Sequence, residues 1–513
     1  MDRFDEATTQ SALRMSVIDG ACATVMVSLA GGIFLVGFAL NVLDATSVQV
    51  GILAALPVSA NIAQLFGALL IEMFGKRRHL CIGAVTAGRL MWLFVLALPL
   101  AMFDGTADIR VWILVILVGI SSLLGSLAGV AWLEWMSDVI PKKIRGAYFG
   151  HRNMVSAASG MVAVLAGGAF LNAWENHRGA EDPFGYIILF GAGLLAGLAS
   201  SWFLTRIPDP SELATAEATG KKRFEAAAFA RPFRDRNFTS LVFYVAAFMF
   251  VTQLAGPFYA VYMIENLSID FGTITWLITF ATLASLFMLR IWGPISDNMG
   301  NRPVLIVAGA AHALIPLLWV ITSPGAWFLP LALAHIASGA FYSALMLAQL
   351  NILIKLSPER GRSVYIAVFN ASIGIAAAVA PITGGWLLDR TSEFGWQVGD
   401  WSLNHLHLLF LGSGVLQLFV LLAIIRVREE GALPSIAVIH QLRTDLDPQT
   451  GVAGATEFLT TQANRTGGML RGIDHMTEQW AERSEAAVAR LIDRRLNRTN
   501  GFIRRSINHL TRY

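Results

Sequence analysis

The stretch Gly293-Pro-Ile-Ser-Asp297-Asn-Met-Gly300-Asn-Arg302 joins two long apolar runs, and its reading decides the fold. Glycine tolerates positive φ, so Gly300 allows a sharp reversal with no real loop. Asp297 closes the preceding run, where its carboxylate can pair with Arg302 or face the N-terminus of a neighbouring helix. The pattern is that of two membrane-crossing helices joined by a short charged turn.

The surrounding composition fits. The chain has 513 residues, 55% apolar and 14% charged, with mean hydropathy +0.59, whereas soluble domains run near 45–50% apolar and about 25% charged. A soluble multidomain enzyme and a disordered chain are thereby excluded. A membrane-spanning helix needs about 20 residues. Apolar runs of that order fall at 15–43, 47–71, 79–103, 110–136, 148–172, 184–205, 238–264, 271–292, 303–322, 328–354, 364–388 and 406–426, giving an all-α polytopic membrane protein with 12 expected spans. The joins on one side carry eighteen Lys and Arg, among them Lys76, Arg77, Lys142, Arg145, Arg302, Lys355 and Arg362. The other side carries three, Arg110, Arg178 and Arg390. The positive-inside rule then places both termini in the cytoplasm. The opening MDRFDEATTQSALR mixes acids and bases ahead of an apolar run far longer than a signal peptide's, so the first span is read as uncleaved.

The spans repeat. A shift of 217 residues lays Pro141, Arg145, Tyr148, Asn153, Gly167 and Gly168 on Pro358, Arg362, Tyr365, Asn370, Gly384 and Gly385. A shift of 225 lays Glu72 on Asp297 and Gly75 on Gly300. Two parallel six-helix repeats follow, a plan known among transporters. The expected organisation is a cytoplasmic N-terminus (1–14), a six-helix bundle (15–205), a cytoplasmic linker (206–237), a second bundle (238–427) and a cytoplasmic, partly helical tail (428–513).

The Gly293–Arg302 join fits G-x-x-x-D-x-x-G-x-R at every defined position, and Ala68-x-x-x-Glu72-Met-Phe-Gly75-Lys76-Arg77 is a degenerate copy. With Asp138-Val-Ile-Pro141-Lys-Lys-Ile-Arg145-Gly146, these joins resemble those of the major facilitator superfamily of secondary transporters over residues 15 to 427. The resemblance implies that Asp297, Gly300 and Arg302, with Glu72, Gly75, Lys76 and Arg77, form cytoplasmic gates; ordinary turn and positive-inside residues are the alternative. Pro141, Arg145, Pro358 and Arg362 join them by position. The chain departs from the family pattern in lacking an arginine in span four and in carrying Val164 where an antiporter proline is expected.

Polar side chains inside spans are costly and are functional candidates. The family's cavity is lined by spans one, four, seven and ten, where this chain offers Ser122 and Ser126, Tyr244, Gln253 and Tyr259, and the stripe His335, Ser338, Tyr342 and Gln349. Helix packing explains the serines equally well. Arg89 lies about nine residues into span three and needs an anionic partner, either a substrate or an acid such as Asp19. Asp19 and Glu134 are candidate proton-coupling carboxylates, although capping or pairing with Arg152 also explains them. His312 can titrate near neutrality.

Cys22 and Cys81 lie in apolar stretches, and no phosphate loop, nucleophile elbow or metal-ligand spacing occurs. No enzyme activity, cofactor, metal or nucleic-acid partner is expected. The tail carries apolar residues at helical spacing, from Val488 to Leu510, and seven arginines against one aspartate in its last 26 residues. Such a segment can lie on anionic lipid or dock a partner helix. The expected function is secondary or facilitative transport of a small solute by alternating access, with a proton or sodium ion as coupling candidates, in a bacterial-type inner membrane. The alternative is a non-transporting assembly factor or receptor on the same fold, its tail docking a partner.

Overall fold

The computed structural model describes residues 6–64, 77–100, 107–140, 145–209, 231–358, 362–398 and 401–446. By contact the chain divides into Met1–Val438 and Ile439–Tyr513. The gate candidates Glu72, Gly75, Lys76 and Pro141 and the basic end of the tail lie outside the described residues.

The first unit is helical. Its elements are α1 (Glu6–Leu29), α2 (Gly32–Asn41), α3 (Ser47–Ser59), α4 (Arg77–Ala97), α5 (Ala107–Val139), α6 (Arg145–Arg178), α7 (Pro183–Thr205), α8 (Arg236–Ala255), α9 (Phe271–Met299), α10 (Asn301–Val320), α11 (Phe328–Leu356), α12 (Arg362–Arg390) and α13 (His405–Leu421). Among the described residues, eleven helices are long and apolar enough to cross a membrane, α1 and α2 counting as one; where a second span was expected, the described part is the shorter apolar α3. A further helix, α14 (Ser435–Asp445), follows the spans. In the second unit Gln441 Nε2 donates to Asp445 Oδ1 at 2.8 Å.

Local chemistry starts these helices. Thr46 and Gln49 form a capping box ahead of α3, and Asp182 with Pro183, Asp235 and Asp270 begin α7, α8 and α9. Each side-chain oxygen satisfies backbone N–H groups that lack a partner in the first turn. The first span is broken: α1 ends at Leu29, Gly32 takes φ +52°, and α2 restarts with no side-chain cap. After α8 the chain runs through Phe258–Val261 and a π-helical turn, Tyr262–Asn266. An antiparallel hairpin, β1 (Gly395–Val398) and β2 (Trp401–Asn404), leads into α13, pairing Gly395 with Asn404 and Val398 with Trp401. Asn404 and His407 form a capping box there. The other ring nitrogen of His407 meets Tyr262 Oη at 2.8 Å, and Tyr262 Oη meets Thr322 Oγ1 at 2.8 Å.

Helix packing repeats along the chain. From α1 to α7, α1 packs on α6 and α7, α4 on α5 and α7, and α3 on α5. From α8 to α13, α8 packs on α12 and α13, α10 on α11 and α13, and α9 on α11. Between these groups α3 meets α12 and α6 meets α9, a reciprocal pair. One glycine of each doublet, Gly168 and Gly385, sits in these contacts, and Gly51 of α3 approaches the Pro381 carbonyl in the same way. A Cβ on Gly168 would strike Thr275 and the Phe271 carbonyl, and one on Gly385 would strike the backbone of Ser47 and Val48. Both sites lie near the charge-poor end, where Phe34 stacks on Phe271 with ring centres 6.0 Å apart and Phe38 meets Phe190 edge-on at 5.3 Å. Only glycine lets backbones come so close in an apolar setting without a hydrophobic driving force.

Candidate functional site

At the basic end, two charged knots hold the helix termini. In the first, Arg77 at the start of α4 binds Asp138 of α5 at 2.8 Å and Asp209, beyond α7, at 3.0 Å. Arg77 and Asp209 are both buried. In the second, the acid is central. Glu429, beyond α13, accepts the N–H groups of Asn301 and Arg302 at 2.8 and 2.6 Å, Asn301 Nδ2 at 2.9 Å and Lys355 Nζ at 3.0 Å. Burial alone pushes the Glu429 carboxyl up, but these donors and the Lys355 charge outweigh it and hold the group below the ordinary glutamate range. Gly300 turns the chain at φ +97°, where a Cβ would press on Ala432.

Of the two roles expected for Asp297, the pair with Arg302 is not formed here. Asp297 is exposed and makes no ion pair or hydrogen bond among the described residues, while Arg302 Nε donates to the Ile424 carbonyl at 3.4 Å. Asp297 sits in the last turn of α9 and lines an open recess at the junction with Gly300, Asn301, Lys355 and Glu429. The start of α10 is instead capped from a distance by Glu429. Asp209 and Glu429 both lie outside the motifs of the joins. A usable signal existed: Arg206-Ile-Pro-Asp209 and Arg426-Val-Arg-Glu429 follow the sixth and last spans at a shift of 220. Asp138 and Lys355 stand at the repeat shift of 217. Pro358 is exposed, and Arg145 and Arg362 open α6 and α12.

Deeper in the first six spans lies a buried ionic relay. Arg89 donates from Nη1 to Ser201 Oγ at 2.6 Å and from Nη2 to Ser200 Oγ at 2.7 Å. Ser200 Oγ in turn donates to Asp19 Oδ1 at 2.5 Å. Asp19 Oδ2 lies 3.5 Å from Arg152, whose guanidinium stacks 4.2 Å above Trp132. Asp19 is thus linked to both arginines, to Arg89 through one hydroxyl. Glu134 is exposed.

Two cavities adjoin this framework. The larger, about 620 Å³, is walled by α1 to α5 with Pro257 and Ala260; its polar linings are Arg89, Trp92, Ser121 and Ser122. The smaller, about 360 Å³, lies among α8, α10, α11 and α13 and holds Gln253, Tyr259, His312, His335, Ser338 and Tyr342. His312 Nδ1 meets Gln417 Oε1 at 2.8 Å, Gln417 Nε2 donates to Ser413 Oγ at 3.2 Å, and Ser413 Oγ donates to the Val251 carbonyl at 2.8 Å. His335 Nδ1 is tied to the Leu331 carbonyl at 2.8 Å.

Three expected cavity residues fall elsewhere. Tyr244 is 1% exposed and packs on Phe248 in the core, because its face of α8 turns toward α10, where Gly309 leaves room for the ring. Gln349 lies two turns beyond Tyr342 on α11, outside the smaller cavity, with its amide on Met346 Sδ at 2.9 Å. Ser126 lines a separate recess with Ser122, Asn61 and Gln64.

A family model described as Major Facilitator Superfamily matches residues 20–255 and 241–462. Curated relatives include uncharacterized transporters of Schizosaccharomyces pombe, 26% identical over 185 residues, which is 35% of this chain and 36% of theirs. The chain therefore matches about a third of the length of these relatives. Among solved structures, a variant of the nucleoside transporter NupG superposes with TM-score 0.62 at 12% identity, covering 82% of this chain and 100% of that one. A D-xylose-proton symporter gives 0.59 at 14% identity over 82% and 99%. A bacterial homologue of the iron transporter ferroportin, in its inward-facing state, gives 0.57 at 13% identity over 83% and 99%. At these identities the likeness is one of fold.

Proposed function

From the premise that the chain belongs to the Major Facilitator Superfamily and is an integral multi-pass membrane transporter, we propose that it moves a small solute by alternating access. Two parallel six-helix halves, 15–205 and 238–427, rock about the α3–α12 and α6–α9 contacts. The observation that carries this reading is the reciprocal packing of those two pairs, with Gly168 and Gly385 in close backbone approach near the charge-poor end. That end is the closed, outer one. The basic end, with both termini, faces the cytoplasm and is open to substrate. The Arg77 and Glu429 knots brace the helices that separate and rejoin there, with Arg145, Arg362, Asp297 and Arg302 on the moving rim. A proton is the coupling ion that the Asp19 relay suits, since a carboxylate between two guanidinium groups responds to protonation by releasing both. The arginine-rich end of the sequence associates with anionic lipid by charge.

The test is paired. A cysteine in place of Ser47, at the closed end, is expected to be shielded from an impermeant maleimide and to become reactive when substrate drives the other state. Solute uptake into proteoliposomes should fall at least tenfold in Arg77→Ala. Fixed reactivity at position 47 and no flux of any screened solute would favour the non-transporting alternative.

A further inference from the structure

We propose that the larger cavity binds an amphipathic organic monoanion, its charged head against Arg89 and its apolar body along α1, α3 and α5. The inference rests on the transport reading for its biological meaning and on three separate observations for its chemistry.

The first is a charge count. Arg89 is 6% exposed and Asp19 3% exposed, and the Arg152 side chain is 16% exposed. Among the described residues this cluster sets two guanidinium groups against one carboxylate, and the Asp19–Arg89 link runs through the Ser200 hydroxyl rather than directly. A surplus buried cation is costly in a membrane unless something anionic completes it. Arg89 Nη1 and Nη2 are held by Ser201 and Ser200, while Nε makes no described hydrogen bond. The guanidinium is therefore held in place by two of its five N–H groups, with Nε–H and the second hydrogens of Nη1 and Nη2 left for a ligand.

The second is the broken first span. α2 begins at the wall of the same cavity, which Gly31 and Gly32 line together with Arg89. Its first N–H groups have no side-chain cap, so the positive end of a ten-residue helix adds to the field of Arg89. The third is the rest of the wall. Apart from Arg89, Trp92 and two serines, the lining is aliphatic side chains, glycine and proline, such as Met26, Leu35 and Val118. A cavity of about 620 Å³ is within the range that encloses a drug-sized ligand. An apolar body is needed to fill it, and a sugar or free phosphate would leave most of its hydrogen bonds unmet. The head can come from a free organic anion or from an anionic lipid; both share this chemistry.

The experiment is equilibrium binding to the full chain in phosphatidylcholine nanodiscs, with octanoate, octanamide and octylammonium as matched probes. Octanoate is expected to bind at least tenfold more tightly than octanamide, and octylammonium not to saturate. In Arg89→Gln the preference for octanoate should shrink to less than twofold, while the charge-conserving Arg89→Lys keeps it. If Arg89→Gln fails to fold, the wild-type comparison of the three probes still decides. Adding phosphatidylglycerol separates the sources: if lipid supplies the anion, octanoate binding weakens in wild type but not in Arg89→Gln. Equal affinity for octanoate and octanamide, or an anion preference that survives Arg89→Gln, overturns the proposal. Flux assays keep this distinct from the transport reading. Saturable octanoate binding without flux of any solute would sink transport alone, whereas flux of a solute indifferent to Arg89 and to octanoate would sink this inference alone.

Discussion

Arg89–Ser200–Asp19 and His312–Gln417–Ser413–Val251 are the same construction in two chemistries. Each runs from the third helix of its six-span group through the sixth to the first, α4 to α7 to α1 and α10 to α13 to α8, and Ser200 and Gln417 stand at the 217-residue repeat shift. The first is ionic and ends on a carboxylate. The second is neutral and ends on a backbone carbonyl. The fold requires a polar tie at this place in each group but leaves its charge open. The ionic version can respond to a proton or an anion; the neutral one serves as scaffold for the aromatic cavity beside it.

The largest expected effect comes from deleting the acid. Asp19→Ala strands the buried Arg89 and the half-buried Arg152 and should destabilise the protein by about 3–5 kcal/mol in reversible detergent unfolding, against about 1–3 kcal/mol for Gln417→Ala. Equal losses would erase the distinction between the relays. The basic-end knots come next. Arg77→Ala removes a buried cation between two acids and should cost about 3 kcal/mol, whereas Lys355→Ala, whose side chain is 48% exposed, should cost under about 1 kcal/mol by the same unfolding measurement.

The close approaches should respond alike, since they are related by the repeat. Gly168→Ala and Gly385→Ala each force a methyl group against opposing backbone at about 1–3 kcal/mol, and both should raise maleimide reactivity at the charge-poor end. A change in one variant only would argue against a shared role. The smallest effect is that of pH on Glu429. Its native carboxyl titrates below its unfolded value, so its stabilisation is complete above the ordinary glutamate value of about 4.3 and fades as pH falls through the lower native value. The melting-temperature gap between wild type and Glu429→Gln should stay flat from neutral pH to about 5 and close on further acidification. A gap that instead closes on raising the pH would reverse the assignment.

Spans were legible because membrane solvation imposes length and apolarity, and the joins because glycine, acid and base are confined to a few positions there. Arg89 was legible as a charge with nowhere to go. Its serine partners were not, because Ser200 and Ser201 look like ordinary small residues of a packed apolar helix until α7 is laid against α4. Glu429 was hidden for a related reason: it lies beyond the last span, in sequence more than a hundred residues from the helix start it caps. Tyr244 misled because helical spacing tells which residues share a face but not which neighbour that face meets.

The His407 contacts carry one more consequence, concerning direction. Asn404 donates its backbone N–H to His407 Nδ1 at 3.0 Å, so that nitrogen is an acceptor and the ring proton of the neutral imidazole must sit on Nε2. Nε2–H then points at Tyr262 Oη, which leaves the phenol proton for Thr322, and Thr322 Oγ1 passes its own to the Trp319 carbonyl at 2.7 Å. Every proton in the row is oriented the same way, from the hairpin inward to α10. A second proton on the imidazole would set two N–H groups face to face at Asn404, so the row has a single polarity written by one capping residue.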